Sequence, residues 1–136
     1  AKDAPLAEVV AGDWGEAGKN GGNLVLNAEQ QHLEGDIVVD AISSVKFDMG
    51  SKVTYKGAIN PNKQGTAVVV MDKTSKWTLA ADSYLESIQF EKTVEKGIKQ
   101  INSKGYNIYY NPKNPANAAL AGKTYSLKGG GLLLTY

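Results

Sequence analysis

Three aspartates and four aromatic residues are the candidates for chemistry in this chain. Asp36, Asp40 and Asp82 supply the hard carboxylate oxygens that calcium takes as ligands. Trp14, Trp77, Tyr84 and Tyr109 supply flat apolar rings with a polar tip, the kind of surface that binds sugars when amides lie beside it. Each group has a second reading. The aspartates fit solvated turn carboxylates. The rings fit packing between strands, and Trp14, in a glycine-rich loop, fits a cap on the first strands.

The remaining composition excludes more than it offers. There is no Cys, which removes disulfides, thiolate metal sites and thiol nucleophiles together. His32 is the only His and reads as a surface turn residue, so one chain cannot build a two-His metal site. All 15 basic residues are Lys, balanced by 14 acids to a net charge of +1. Without Arg there is no planar fork for phosphate or carboxylate, and no charge excess argues for nucleic acid. No apolar run reaches the ~18 residues of a membrane span. The N-terminus has no signal-peptide pattern and, lacking Met, reads as the cut end of a longer chain or as a mature product.

What positions these residues is a degenerate repeat. Short stretches rich in Val, Ile and Tyr alternate with polar residues, the period-2 signature of strands. Leu24 and Leu26 align with Val45 and Phe47, Leu33 with Tyr55, Gly35 with Gly57, and Ile37 with Ile59. The third unit sets Val68 and Val70 on the first strand, with Leu79 and Ala81 on the second. A period near 22 is short for helical repeats and fits one coil of a stacked parallel β-helix. The expected fold is all-β: a right-handed parallel β-helix (solenoid) of about three to five coils with a C-terminal cap. Residues 1–22 form an N-terminal segment or cap, and 23–136 the β-helix domain.

Within 23–136 the cap carries its own signals. Val94, Ile98 and Ile101 have helical spacing and predict one short helix near 93–104, with Gly105 available to end it and Gly97 disfavouring it. Tyr106, Ile108 and Tyr110 predict one face of a strand, and 123–127 and 132–136 two further strands. Asn27, Asn60 and Asn111 fall where turns are expected.

The ordered segments LEGDIVVD (33–40), ISS (42–44), GAIN (57–60), SKWTLAADSY (75–84), GYNIYY (105–110) and GKTYSLKGGG (122–131) carry a resemblance. Over roughly residues 14–131 the chain resembles the C-terminal region of bacterial extracellular right-handed parallel β-helix proteins of carbohydrate-binding or adhesin-like type. The resemblance implies a secreted or cell-surface protein that engages polysaccharide, sometimes with calcium, and that carries more coils N-terminal to this stretch. It transfers no catalytic residue.

The repeat also bears on catalysis. Asp36 and Asp82 occupy equivalent positions with Ala58 between them, two rungs apart, or ~9.6 Å at ~4.8 Å per rung. That is too wide for a retaining glycosidase pair at ~5 Å and at the outer limit of an inverting one at ~9.5 Å. A polysaccharide lyase would have to use Lys as its base. The chain is therefore expected to be no enzyme but a polysaccharide-binding or adhesin module. The alternative is a structural or capping end of a fibrous surface protein, self-associating through coil edges.

Overall fold

The computed structural model describes residues 7–9, 23–39, 43–61, 63, 65–91 and 93–136; Trp14 and Asp40 lie outside them. The described chain is mostly β and its strands pair almost entirely in parallel. In chain order they are β1 (Ala7–Val9), β2 (Asn23–Ala28), β3 (His32–Glu34), β4 (Ile37–Val39), β5 (Ser44–Met49), β6 (Thr54–Lys56) and β7 (Thr66–Met71). There follow β8 (Lys76–Thr78), β9 (Ser83–Leu85), β10 (Ser87–Phe90), helix α1 (Val94–Gly97), β11 (Ile101–Asn102), β12 (Ile108–Tyr110), β13 (Tyr125–Ser126) and β14 (Leu132–Thr135).

Three four-stranded sheets have the orders β10-β7-β5-β2, β11-β8-β6-β3 and β13-β14-β12-β9, and β1 pairs with β4 in a fourth. The chain visits the first two sheets in turn, and each return lands beside the strand left one visit earlier. The expected register holds at Leu24 with Val45, Leu26 with Phe47, and Leu33 with Tyr55. Ile37 bridges Ile59 as well.

The third layer differs from expectation. Val45 pairs with Ala67 and Phe47 with Val69, so Ala67, Val69 and Met71 point inward while Val68 and Val70 are only partly covered. The run from Ala67 to Met71 is apolar at every position, so alternation offers two phases, and a slip of one residue exchanges the faces. On the next strand Tyr55 pairs with Trp77, not Leu79. Leu79 therefore lies beside Gly57, and Ala80 and Ala81 are inserted before β9.

One continuous core draws on every major sheet, with Phe47, Tyr55, Trp77, Ile88, Ile101, Tyr110 and Leu133 all at most 1% exposed. An aromatic ladder runs through it. Phe47 meets Tyr55 edge-on at 5.1 Å between centroids, and Tyr55 lies 6.1 Å from Trp77. Both polar tips reach a backbone carbonyl 20 residues earlier: Tyr55 Oη donates to Gly35 O (2.7 Å) and Trp77 Nε1 to Gly57 O (2.9 Å). Gly57 must lack a side chain here. A Cβ would strike Gly35 O and lie 2.5 Å from Tyr55 Oη.

The predicted helix is shorter than 93–104. Thr93 caps α1 by accepting from Lys96 N, and a 3-10 turn at Ile98–Gln100 leads straight into β11. Gly105 lies beyond it, at φ +85° in a separate turn. Gly97 is tolerated because its surface is needed: an added Cβ would collide with the Phe90 ring. Of the predicted Tyr106 face only Ile108 and Tyr110 are buried, and Tyr106 is exposed before the strand begins.

At the end of the stack near β10 a side chain takes an edge donor. A 3-10 segment, Pro115–Leu120, packs on β10, and its buried Asn117 accepts from Ile88 N (3.0 Å) while donating to Glu86 O and Asn111 O. A side chain thus occupies an edge donor that would otherwise recruit another strand. Antiparallel β13 ends the parallel pairing of the third sheet. At the opposite end β2 and β3 are the outermost strands of their sheets.

Candidate functional site

Tyr84 and Tyr109 lie side by side on the outer face of the β9–β12–β14 sheet. The register opposes Tyr84 to Tyr109 and Tyr109 to Leu134. Alternation sends the flanking Ser83, Leu85, Ile108 and Tyr110 into the core, which leaves both tyrosines outside and half-buried. Their rings stack at 4.8 Å between centroids and 7° between planes. Each ring covers one face of its partner.

Other polar groups gather around the pair. Asn107 Nδ2 donates to Tyr109 Oη (3.2 Å). The Lys63 ammonium lies 5.5 Å from the Tyr84 ring centroid and 5.2 Å from that of Tyr136, a residue 49% exposed. Asn111 and Asn114 donate their amides to the Glu86 carboxylate at 3.0 and 2.6 Å. Burial first, then Tyr109 and Asp82, raises the Tyr84 phenol above its ordinary pKa. Burial and then Glu86 do the same for Tyr136.

The other sequence-derived candidates are distributed differently. Trp77 is 0% exposed with its N–H bonded internally, so it has no face to offer a ligand and belongs to the core. Its flanking Lys76 and Thr78 carried that signal, because polar neighbours on both sides of an aromatic in a strand put the aromatic inside. Asp36 and Asp82 are partly covered and do not meet. Asp36 Oδ1 accepts from Ala58 N (2.9 Å), and Asp82 Oδ1 accepts from Asn107 N (2.8 Å). Asn107 Oδ1 in turn accepts from Leu132 N (3.0 Å). One device recurs: a side-chain oxygen just before the third strand holds a backbone N–H of the next layer.

Because Asn107 performs this task as well as the aspartates, the position requires an acceptor and not a charge. Asp82→Ala is expected to cost about 1–3 kcal/mol by orphaning a covered N–H, and Asp82→Asn to restore most of it. Urea unfolding of the two variants checks this. Equal losses would show that the charge matters.

Among the described residues no three His, Cys, Asp or Glu side chains gather to hold a metal ion. His32 is on strand β3 and not in a turn, exposed, with Nδ1 2.7 Å from Thr54 Oγ1 and Nε2 2.9 Å from Glu34 Oε1. Asn60 adopts the left-handed conformation expected of a turn Asn (φ +52°), whereas Asn27 lies within β2. The sequence reading missed Lys63, Glu86 and Tyr136. For Tyr136 a signal existed: it lies two residues past Leu134, on the same face by alternation.

Among the described residues no helix is long and apolar enough to cross a membrane. No family model, curated protein or solved structure matches the chain.

Proposed function

We propose that the chain is a non-catalytic module of a secreted or cell-surface protein, wound as a right-handed parallel β-solenoid, that holds polysaccharide on the outer face of β9, β12 and β14. Support for the winding comes from the recurrent order of strands, the single core, and the right-handedness of nearly all parallel crossover connections. The non-catalytic reading is supported by how the carboxylates are used, since Asp36 and Asp82 each spend an oxygen on a backbone donor of the adjacent coil.

The observation that carries the binding reading is the convergence of Tyr84 and Tyr109, with Tyr136 and the Asn107 amide nearby. Hydroxyls, an amide and apolar ring edges within one patch suit a sugar, which presents both C–H surface and hydroxyl groups. The test is retention on a panel of soluble and insoluble polysaccharides, with and without chelator. Retention that Tyr84→Ala and Tyr109→Ala each abolish is the expected outcome. No retention on any member sinks the reading, and a chelator-dependent result assigns calcium a part in it.

A second reading is favoured by the contrast between the ends of the stack. Asn117 seals the β10 edge, while β2 and β3 are outermost at the other end. On this reading the chain is the end piece of a fibrous surface protein, and β2 and β3 pair with more coils or with a second copy. Concentration-dependent association in sedimentation, with no glycan retention, would favour it over polysaccharide binding.

A further inference from the structure

Lys63 is held in an unusual place by a buried anchor. Asn60, 2% exposed, donates from Nδ2 to Gly65 O (2.9 Å) and to Tyr84 O (3.0 Å), and its backbone carbonyl accepts from Lys63 N (3.1 Å). The turn carrying Lys63 is thereby fastened to the strand carrying Tyr84. The Lys63 ammonium lies over two tyrosine rings, 5.5 Å from the centroid of Tyr84 and 5.2 Å from that of Tyr136, within the ~6 Å over which a ring attracts a cation.

The surroundings carry the same sign. Tyr109 backs the far face of Tyr84, and the carboxylates of Asp82 and Glu86 act on the Tyr84 and Tyr136 phenols. Two aromatic walls in a negative field form a slot for an organic cation, and the protein's own ammonium shows where such a cation rests.

We propose that the slot between the Tyr84 and Tyr136 rings is a binding site for an organic ammonium, with Lys63 as its resident occupant, and that the ligand is a glycan carrying unacetylated amino sugars. The second half of this inference rests on the polysaccharide reading above. An unacetylated amino sugar presents a primary ammonium chemically equivalent to that of Lys63, together with hydroxyls for the Asn107 amide and the tyrosine hydroxyls. Acetylation removes the charge and leaves the sugar otherwise alike, which makes it the discriminating change.

Because Lys63 is exposed, its hold on the rings is weak and a ligand displaces it at little cost. Removing it therefore improves binding modestly. Lys63→Asn suits the test, since Asn tolerates the positive φ (+55°) of this position. Wild type, Lys63→Asn and Tyr136→Ala are titrated by calorimetry with a fully deacetylated glucosamine tetramer, its N-acetylated counterpart, and tetramethylammonium. Lys46→Asn, on another sheet, controls for plain loss of positive charge.

The expected result is binding of the deacetylated tetramer and not of the acetylated one, tightened roughly two- to fivefold by Lys63→Asn, unchanged by Lys46→Asn and lost in Tyr136→Ala. Equal binding of the two tetramers overturns the inference and leaves the polysaccharide reading standing. Weaker binding in Lys63→Asn also overturns it, because Lys63 would then be a contact and not an occupant. Binding of tetramethylammonium without either tetramer supports the slot and overturns the glycan assignment. No heat with any probe overturns the whole proposal, while retention on the neutral polysaccharide panel would still stand independently.

Discussion

Trp77→Ala is expected to lower the unfolding free energy by about 3–5 kcal/mol, a large share of the roughly 5–15 kcal/mol that holds a domain of this size. The indole is wholly enclosed and sits in the middle of the aromatic ladder, so its removal opens a cavity against Tyr55 and orphans Gly57 O. Trp77→Phe separates the two effects: it keeps most of the apolar volume and loses the donor, with an expected cost of about 1–3 kcal/mol. Urea unfolding followed by circular dichroism measures both without relying on the lost fluorophore. If Trp77→Ala cost no more than Tyr84→Ala, the ladder would not be a principal support of the core.

The second large effect is an alkaline limit on stability. Tyr55 is enclosed, and burial, helped by Asp36, drives its phenol far above the ordinary value of about 10. Burial is also the leading cause raising Tyr84, Tyr110 and Tyr136. A phenol raised in the folded state leaves stability intact below the unfolded pKa and removes it progressively above, because only the unfolded chain then releases the proton. At pH 12, well above the unfolded phenol's value, Tyr55 alone withdraws roughly 3 kcal/mol. The phenolate absorbance of Tyr55 is expected to emerge only together with the loss of circular dichroism. A Tyr55 phenolate signal that rises smoothly while the circular dichroism is unchanged would contradict this.

How far the sequence reveals these features depends on local contrast. Leu24 with Val45 and Ile37 with Ile59 were readable because Ser44, Lys46 and Asp48 mark the phase of Val45 and Phe47, and the Gly35 and Gly57 markers fix the register of Ile37 and Ile59. The phase of β7 was not, because nothing polar interrupts Ala67 to Met71. Trp77 looked like a ligand platform for want of the right partner: set against Tyr55 instead of Leu79 its position is plainly inward. The equivalence of Asp36 and Asp82 was legible, but their task was not, since it depends on which backbone N–H of the adjacent layer lies opposite. The Tyr84–Tyr109 contact spans a 25-residue step that departs from the repeat near 22, so no fixed period joins them. Lys63 reaches the rings through a turn fastened by Asn60, a tertiary arrangement without a sequence pattern.

Asn117 has a consequence for how many copies can join. A stack whose two ends are alike can add units indefinitely, whereas an edge N–H already taken by a side chain, as Ile88 N is by Asn117, works against extension in that direction. If β2 and β3 meet the same strands of a second chain, both remaining ends of the resulting pair are the plugged ones. On the proposed end-piece reading, pairing through β2 and β3 then favours two chains over a growing fibre.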